Sequence, residues 1–255
     1  MGVDFLPRWT GHEPARLYRY GDQYKLQIRT TAEGRRDRAA PGSQGESSGE
    51  EKAAQAFSRA RARVMELGLC NEWAHFVTLT LDPEKYDRFD LPRWRADLSQ
   101  WLRNQRRLHC GDVRYLLIPE QHKDGAWHMH GLVAGIDPAT LEFNEHGYLD
   151  WPAYRRRFGY ISLSPVQSRT ACARYISKYV SKDLGARASD LGAHLYYASR
   201  GLKGRELVDM GDFSPPETLA PTYQTEYWWV LWLDSPLDLD HGLVDPFDGE
   251  GAHLG

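Results

Sequence analysis

Cysteine is scarce: Cys70, Cys110 and Cys172 are odd in number, widely spaced and never in a CxxC pair. That excludes a disulfide framework and a thiolate zinc site, and it suits a reduced, cytoplasmic setting. Long apolar runs are missing as well. The longest, Trp228 to Leu233, falls far short of the roughly 20 residues a bilayer-spanning helix needs. The first residues, Met1-Gly2-Val3-Asp4, lack the basic region and apolar stretch of a secretion signal. No GxxxxGK[ST] occurs, so the sequence predicts no nucleotide-driven motor of its own. Lysine and arginine are absent from Pro221 onward, where seven acidic residues fall. The remainder of the chain then holds 32 basic against 28 acidic residues, a mildly basic body with an acidic tail. Such a balance suits a nucleic-acid partner, and many proteins that bind none share it.

What is present belongs to a globular chain. Of the 255 residues, 41% are hydrophobic and 12% aromatic, enough for one generous core or two small ones. Alternation over residues 22–30 predicts a strand inside an N-terminal segment, 1–32. Residues 33–50 carry no aliphatic side chain beyond alanine, which predicts a flexible linker. Helical spacing of Phe57, Ala60, Val64 and Leu67 predicts a helix over 51–69, and HFVTLTL at 75–81 predicts a β-branched strand. Asp90 and Pro92 start a second helix bearing Trp94, Leu98, Trp101 and Leu102. Residues 113–120 and 126–135 read as two strands joined by His122-Lys123-Asp124-Gly125. A short strand at 160–164, a helix over 168–184 ended by Gly185, and a strand at 194–199 complete the body. The order predicts an α+β domain over 51–210 with an antiparallel sheet, followed by an acidic, Trp-rich extension at 211–255.

Two constellations carry chemistry. His128-Met129-His130 lies in a strand, so both imidazoles share a face, and Glu120 ends the strand before it across the hairpin. Two imidazoles and a carboxylate make a three-ligand site for a divalent ion with positions open to substrate. Two surface histidines fit the same pattern, and Gln121 and His122 are near enough to compete as third ligand. The second constellation is Tyr175-Ile176-Ser177-Lys178-Tyr179-Val180-Ser181-Lys182. At roughly 100° per residue, Tyr179, Lys178 and Lys182 all fall within about 60° of Tyr175 on the helix. An amphipathic helix with tyrosines at the core's edge reads the same way. A chemical reading has a reason for tyrosine, because a phenolate held by cations attacks phosphodiesters.

Together the two constellations resemble the HUH endonucleases, named for two histidines flanking a hydrophobic residue, and above all their rolling-circle replication initiators. The strand Phe76-Val77-Thr78-Leu79-Thr80-Leu81, the His128-Met129-His130 strand and the Tyr175/Lys178/Tyr179/Lys182 helix occur in the family's order. Pro119-Glu120 and the stretch from Tyr196 to Leu202 are secondary similarities, and the likeness spans about 51–208. The resemblance implies a five-stranded antiparallel sheet with an RRM-like, ferredoxin-like core and flanking helices. It implies His128, His130 and Glu120 as ligands of Mg²⁺ or Mn²⁺, and Tyr179 and Tyr175 as nucleophiles assisted by Lys178 and Lys182. The implied activity is metal-dependent nicking and joining of single-stranded DNA at a replication origin, through a 5′-phosphotyrosine link. A separate host helicase and polymerase would be the partners. A two-tyrosine transposase of the same superfamily and a non-enzymatic RRM-like module are the alternatives.

Other features admit plainer readings. Arg155-Arg156-Arg157 and the arginines of 91–108 suit phosphates or a solvated face. Trp228, Trp229 and Trp232 suit a packed strand, Thr78 and Thr80 suit β-structure, and His194 suits a structural place.

Overall fold

The structure, a computed structural model, describes residues 14–29, 49–108, 112–180, 194–213, 215, 219–225, 228–238 and 242–243. In chain order the elements are β1 (Pro14–Tyr20), β2 (Gln23–Arg29), α1 (Gly49–Cys70), β3 (His75–Thr80) and α2 (Leu91–Leu108). Then follow β4 (Arg114–Gln121), β5 (Trp127–Ala134), β6 (Glu142–Phe143), β7 (Leu149–Asp150), α3 (Pro152–Arg157), β8 (Ile161–Pro165) and α4 (Arg169–Tyr179). The last are β9 (Tyr197–Ala198), β10 (Glu206–Asp212), β11 (Tyr223–Gln224), β12 (Trp228–Leu233), β13 (Leu237–Asp238) and β14 (Gly242–Leu243). The chain divides into two compact units, one running from α1 to β9 and the other drawn from the strands on either side.

The larger unit is built on an antiparallel sheet of order β6-β7-β8-β3-β5-β4-β9. Seven strands stand where five were expected; β6, β7 and β9 are two residues each, too short to declare themselves by alternation. Strand alternation sends Val77, Leu79, Leu117 and Met129 to one face, where Leu98 and Leu102 of α2 meet them. Trp101 of α2 packs on Trp151 at 4.7 Å between ring centroids and edge-on to Tyr154 and Phe158, tying α3 to the same layer. Such aromatic pairs contribute roughly 0.5–1.5 kcal/mol each beyond their area burial. The opposite face receives α4, which packs on β4 and β5 and against α1. Gly68 permits the α1–α4 approach: a Cβ there would stand 2.8 Å from the Cβ of Ala173.

Local signals explain the element ends. Asp90 Oδ1 accepts from the Arg93 N–H at 3.0 Å, capping α2. Ser168 Oγ accepts from the Ala171 N–H at 3.2 Å and starts α4. That helix ends earlier than its sequence predicts. Val180, at φ −72° and ψ 79°, leaves helical geometry, so α4 stops at Tyr179 instead of Leu184. Lys182 and Gly185 lie outside the described residues, as does 33–48 of the expected linker.

In the smaller unit, strands from both ends of the sequence share a five-stranded sheet of order β10-β1-β2-β12-β11. Its buried face carries Leu17, Leu26, Ile28, Trp229 and Leu231. Of the three tryptophans expected to pack, only Trp229 therefore lies in the core, Trp228 being exposed and Trp232 half-buried. Sequence composition divides the chain into four successive segments. The strand pairing instead joins 14–29 with 206–233, through hydrogen bonds between residues far apart in sequence. Cys70 is buried and Cys172 half-buried. Among the described residues no helix is long and apolar enough to cross a membrane.

One position in the central strand sets a sharp limit on substitution. A Cβ on Gly131 would lie 2.0 Å from the carbonyl oxygen of Leu116 and 2.9 Å from the Cα of Leu117. These are backbone atoms of the neighbouring strand and cannot swing aside. Gly131→Ala is expected to destabilise the larger unit by about 2 kcal/mol or more, read as a lowered urea midpoint.

Candidate functional site

The β4–β5 hairpin sets the geometry. His122 N–H donates to Ala126 O at 2.9 Å, Asp124 Oδ1 accepts from the Ala126 N–H, and Gly125 takes φ 89°, which favours glycine. This turn fixes a register in which Glu120 stands opposite His128 and Ile118 opposite His130. On the other side of β5, β3 sets Thr80 opposite His128 and Thr78 opposite His130. Residues paired across an antiparallel ladder point to the same face, so Thr78, Thr80, His128, His130 and Glu120 converge.

The contacts are repeated in pairs. Thr78 Oγ1 lies 3.1 Å from His130 Nδ1, and Thr80 Oγ1 lies 3.0 Å from His128 Nδ1. Glu120 Oε2 approaches His130 Nε2 at 2.8 Å. That nitrogen is buried and has no aligned hydrogen bond. Threonine hydroxyls accept as readily as they donate, so the other nitrogen decides the tautomer. With a carboxylate oxygen at that distance, Nε2 is the nitrogen suited to carry the proton of the neutral ring, and Nδ1 then accepts from Thr78 Oγ1. Burial depresses the His130 pKa although the Glu120 charge and hydrogen bond pull the other way. Burial first, and then the neighbouring His122 and His130, also lower the pKa of His128. Both imidazoles are therefore held neutral, the form that ligates metal.

Neutral imidazoles bonded to hydroxyls at Nδ1, with a carboxylate beside one Nε2, are donor types that suit a divalent cation, which would replace the proton between Nε2 and Glu120. As the side chains stand, no group of three or more His, Cys, Asp or Glu among the described residues encloses an ion. Glu120, 41% exposed, is free to swing, whereas His130, at 12%, is not. Of the competing third ligands, Gln121 spends its amide on Gly125 O at 2.8 Å. His122 stacks on His128 with centroids 3.7 Å apart and planes 8° from parallel, making a third imidazole beside the pair.

Helix α4 brings the tyrosines to this face. The Tyr179 ring stacks on His130, centroids 4.1 Å apart and planes 12° from parallel. Its hydroxyl donates to the Tyr175 hydroxyl at 2.9 Å. Tyr175, 48% exposed, lies farther out against Phe76, with centroids 5.4 Å apart. Burial, the Tyr175 hydroxyl and the Glu120 charge hold the Tyr179 phenol well above its ordinary pKa, hence protonated at neutral pH. Lys178 is exposed and makes no hydrogen bond or ion pair among the described residues. His194 lines a cavity of about 450 Å³ on the α2 face with Arg95, Tyr196 and Tyr197, away from the other histidines. Arg155 binds Asp150 at 3.1 Å and Glu142 at 3.0 Å, so that charge is spent within the fold.

Sequence reasoning passed over Thr78 and Thr80 as β-formers. The available signal was their two-residue spacing, equal to that of the histidines, which aligns the pairs once β3 and β5 are neighbours. Thr78→Val or Thr80→Val is expected to weaken metal binding roughly 10–100-fold. Nitrogen NMR of the metal-free protein should show the partner imidazole losing its tautomer preference, and the serine variants should retain it.

The structure thus brings together a histidine pair on a central antiparallel strand and a helix with two tyrosines. Residues 74–184 match the family Replication-associated protein ORF2/G2P. The matched segment begins at β3 and extends past α4, and it contains every residue of the cluster. The match is consistent with a replication initiator of the rolling-circle kind. No curated protein and no solved structure matches the chain.

Proposed function

We propose that this chain nicks and rejoins single-stranded DNA at a replication origin, starting rolling-circle replication through a phosphotyrosine link. The observation that carries the reading is the Tyr179 ring laid on His130, which sets a phenol beside a donor set suited to a divalent cation. The family match supports the replication role and the DNA partner.

His128, His130 and Glu120 would hold Mg²⁺ or Mn²⁺. When bound, that ion supplies charge neutralisation at a scissile phosphate. The residues of the chain do the rest. Thr78 and Thr80 fix the imidazoles, and the stack on His130 fixes the Tyr179 ring. As the Tyr179 oxygen bonds to phosphorus, its proton passes along the hydrogen bond to the Tyr175 hydroxyl. The Tyr175 hydroxyl's own proton goes to solvent water, and water in turn protonates the leaving 3′ oxygen. The bond from phosphorus to the 3′ oxygen breaks, and that oxygen leaves as a 3′-hydroxyl able to prime synthesis. Tyr175, within hydrogen-bond reach of Tyr179, serves the second cleavage, and transfer between the two closes the circle. Lys178 and Lys182 act as phosphate contacts on the approaching strand. Strand separation and synthesis fall to a separate helicase and polymerase.

The test is a covalent adduct on a denaturing gel, formed with origin oligonucleotide and Mn²⁺, with the modified tyrosine mapped by mass spectrometry. Binding without adduct or cleavage would leave a nucleic-acid-binding module instead.

A further inference from the structure

The smaller unit has a sheet face that its own core does not use. In β1, β2 and β12, Leu17, Leu26, Ile28, Trp229 and Leu231 point one way into the core. The intervening positions point the other way. An outward face of this kind normally carries mixed charges and small polar groups. Here the ladder aligns Tyr18 with Lys25 and then Trp232, and Arg29 with Trp228, while Tyr223 stands opposite Val230. Trp228 is 41% and Tyr223 46% exposed. Val230 and Tyr20 share this face yet are buried, so neighbouring side chains close over them, and Trp228 and Tyr223 are the rings left most open to solvent. Trp228 and Trp232 are four residues apart, about 13 Å along the strand.

Charge points to the occupant. Lys25 Nζ lies 5.5 Å from the centre of the Trp232 ring and 5.9 Å from that of Tyr223. The Arg205 guanidinium lies 4.2 Å from the centre of the Tyr18 ring. Arg16 and Arg29 are exposed on the same face. Among the described residues, outward positions of β1, β2, β11 and β12 hold no Asp or Glu. The carboxylates of this face lie at its margins: Asp212 of β10 opposite Pro14, and Asp234 after β12, which accepts from Gln23 at 3.5 Å. Rings interleaved with cations, and no acid among them, suit a polymer with both π-faces and a phosphate chain. A duplex has its base faces already stacked, so the fit is to unpaired bases.

We propose that this outward face of β1, β2, β11 and β12 binds single-stranded DNA, as a second nucleic-acid surface in a unit without the histidine–tyrosine cluster. The choice of DNA rests on the replication-associated family match. The binding itself does not require that the tyrosines cut.

The experiment uses the full chain with Tyr175→Phe and Tyr179→Phe, in chelator, so that neither cleavage nor metal enters the reading. Anisotropy of a labelled oligothymidylate is measured across a salt series. Adding Trp228→Ala with Tyr223→Ala should weaken binding tenfold or more by removing stacking platforms, while the salt slope stays unchanged. Adding Arg16→Gln with Arg29→Gln should make the slope of log K against log salt shallower by about 1.4, the release expected for two phosphate contacts on a single strand. Unchanged affinity and slope in both pairs would overturn the proposal. So would tighter binding of duplex, and tighter binding of oligouridylate would overturn the assignment to DNA. Should a pair fail to fold by circular dichroism, an iodouracil oligonucleotide is photo-crosslinked to the parent chain. Adducts on Tyr223, Trp228 or Trp232 support the surface, and adducts confined to 51–203 overturn it.

Discussion

Tyr179→Phe is expected to abolish the first cleavage of origin DNA, because it deletes one oxygen and little else. The phenylalanine ring keeps the stack on His130, so the packing of α4 against β5 survives. What disappears is the proposed nucleophile and its hydrogen bond to Tyr175. Tyr175→Phe should behave differently. Tyr175 sits a ring farther from the histidines, against Phe76, and its loss leaves the Tyr179 oxygen in place. First cleavage should therefore remain measurable, while release of closed circles fails because no second tyrosine takes over the strand. The doubly substituted protein should form no covalent adduct. Gel-resolved nicking and circle release, measured for all three variants against the parent, check the assignment. A double variant that still linked to DNA would remove the phosphotyrosine mechanism, and a fully active Tyr179→Phe protein would transfer the first cut to Tyr175. The proximity of the phenols makes such a transfer chemically reasonable: they share one hydrogen bond and one helix face.

Local chemistry was legible in the sequence wherever one short segment sufficed to express it. The Asp90 cap, the Gly125 turn and the alternation around Met129 each depend on neighbours within a few positions, and each lies where its pattern puts it. The convergence of Glu120 with the histidines was legible for the same reason, since a short hairpin fixes the register. The smaller unit was not. β1 pairs with β10 across nearly the whole length of the larger unit, and nothing in Pro14–Tyr20 or Glu206–Asp212 alone announces a partner so distant. The seventh strand count failed for a related reason: two-residue strands such as β9 exist only because β4 offers an open edge. Helix α3 was hidden by its composition, since Arg155, Arg156 and Arg157 read as a charge run while Tyr154 anchors the turn in the core. Thr78 and Thr80 show the same limit at the site. Their residue type is what any strand prefers, and only pairing with β5 makes them partners of the histidines.

Loss of either imidazole is expected to cost more than loss of the carboxylate, and the structure says how to tell the causes apart. His130 has two tasks, an Nε2 facing Glu120 and a ring face supporting Tyr179. His128 has an Nδ1 bond to Thr80 and a stack with His122, and no contact with the tyrosines among these rings. His128→Ala should therefore remove metal binding while leaving Tyr179 seated, whereas His130→Ala should disturb both. Nicking should fall by at least about a hundredfold in each, beyond the effect of losing an outer partner of a ligand. Glu120→Gln keeps the shape of the side chain and removes its charge, so metal affinity should fall about tenfold. The weaker response follows from its mobility: a side chain 41% exposed yields its place to water more readily than a buried imidazole. Calorimetric titration with Mn²⁺ separates the three, and chelation of the parent protein should reproduce the nicking defect of His128→Ala. Parental affinity in Glu120→Gln would point to His122 as the third ligand, since its ring already lies against His128. Parental nicking in His128→Ala or His130→Ala with Mn²⁺ present would show that the imidazoles serve the fold and not the ion.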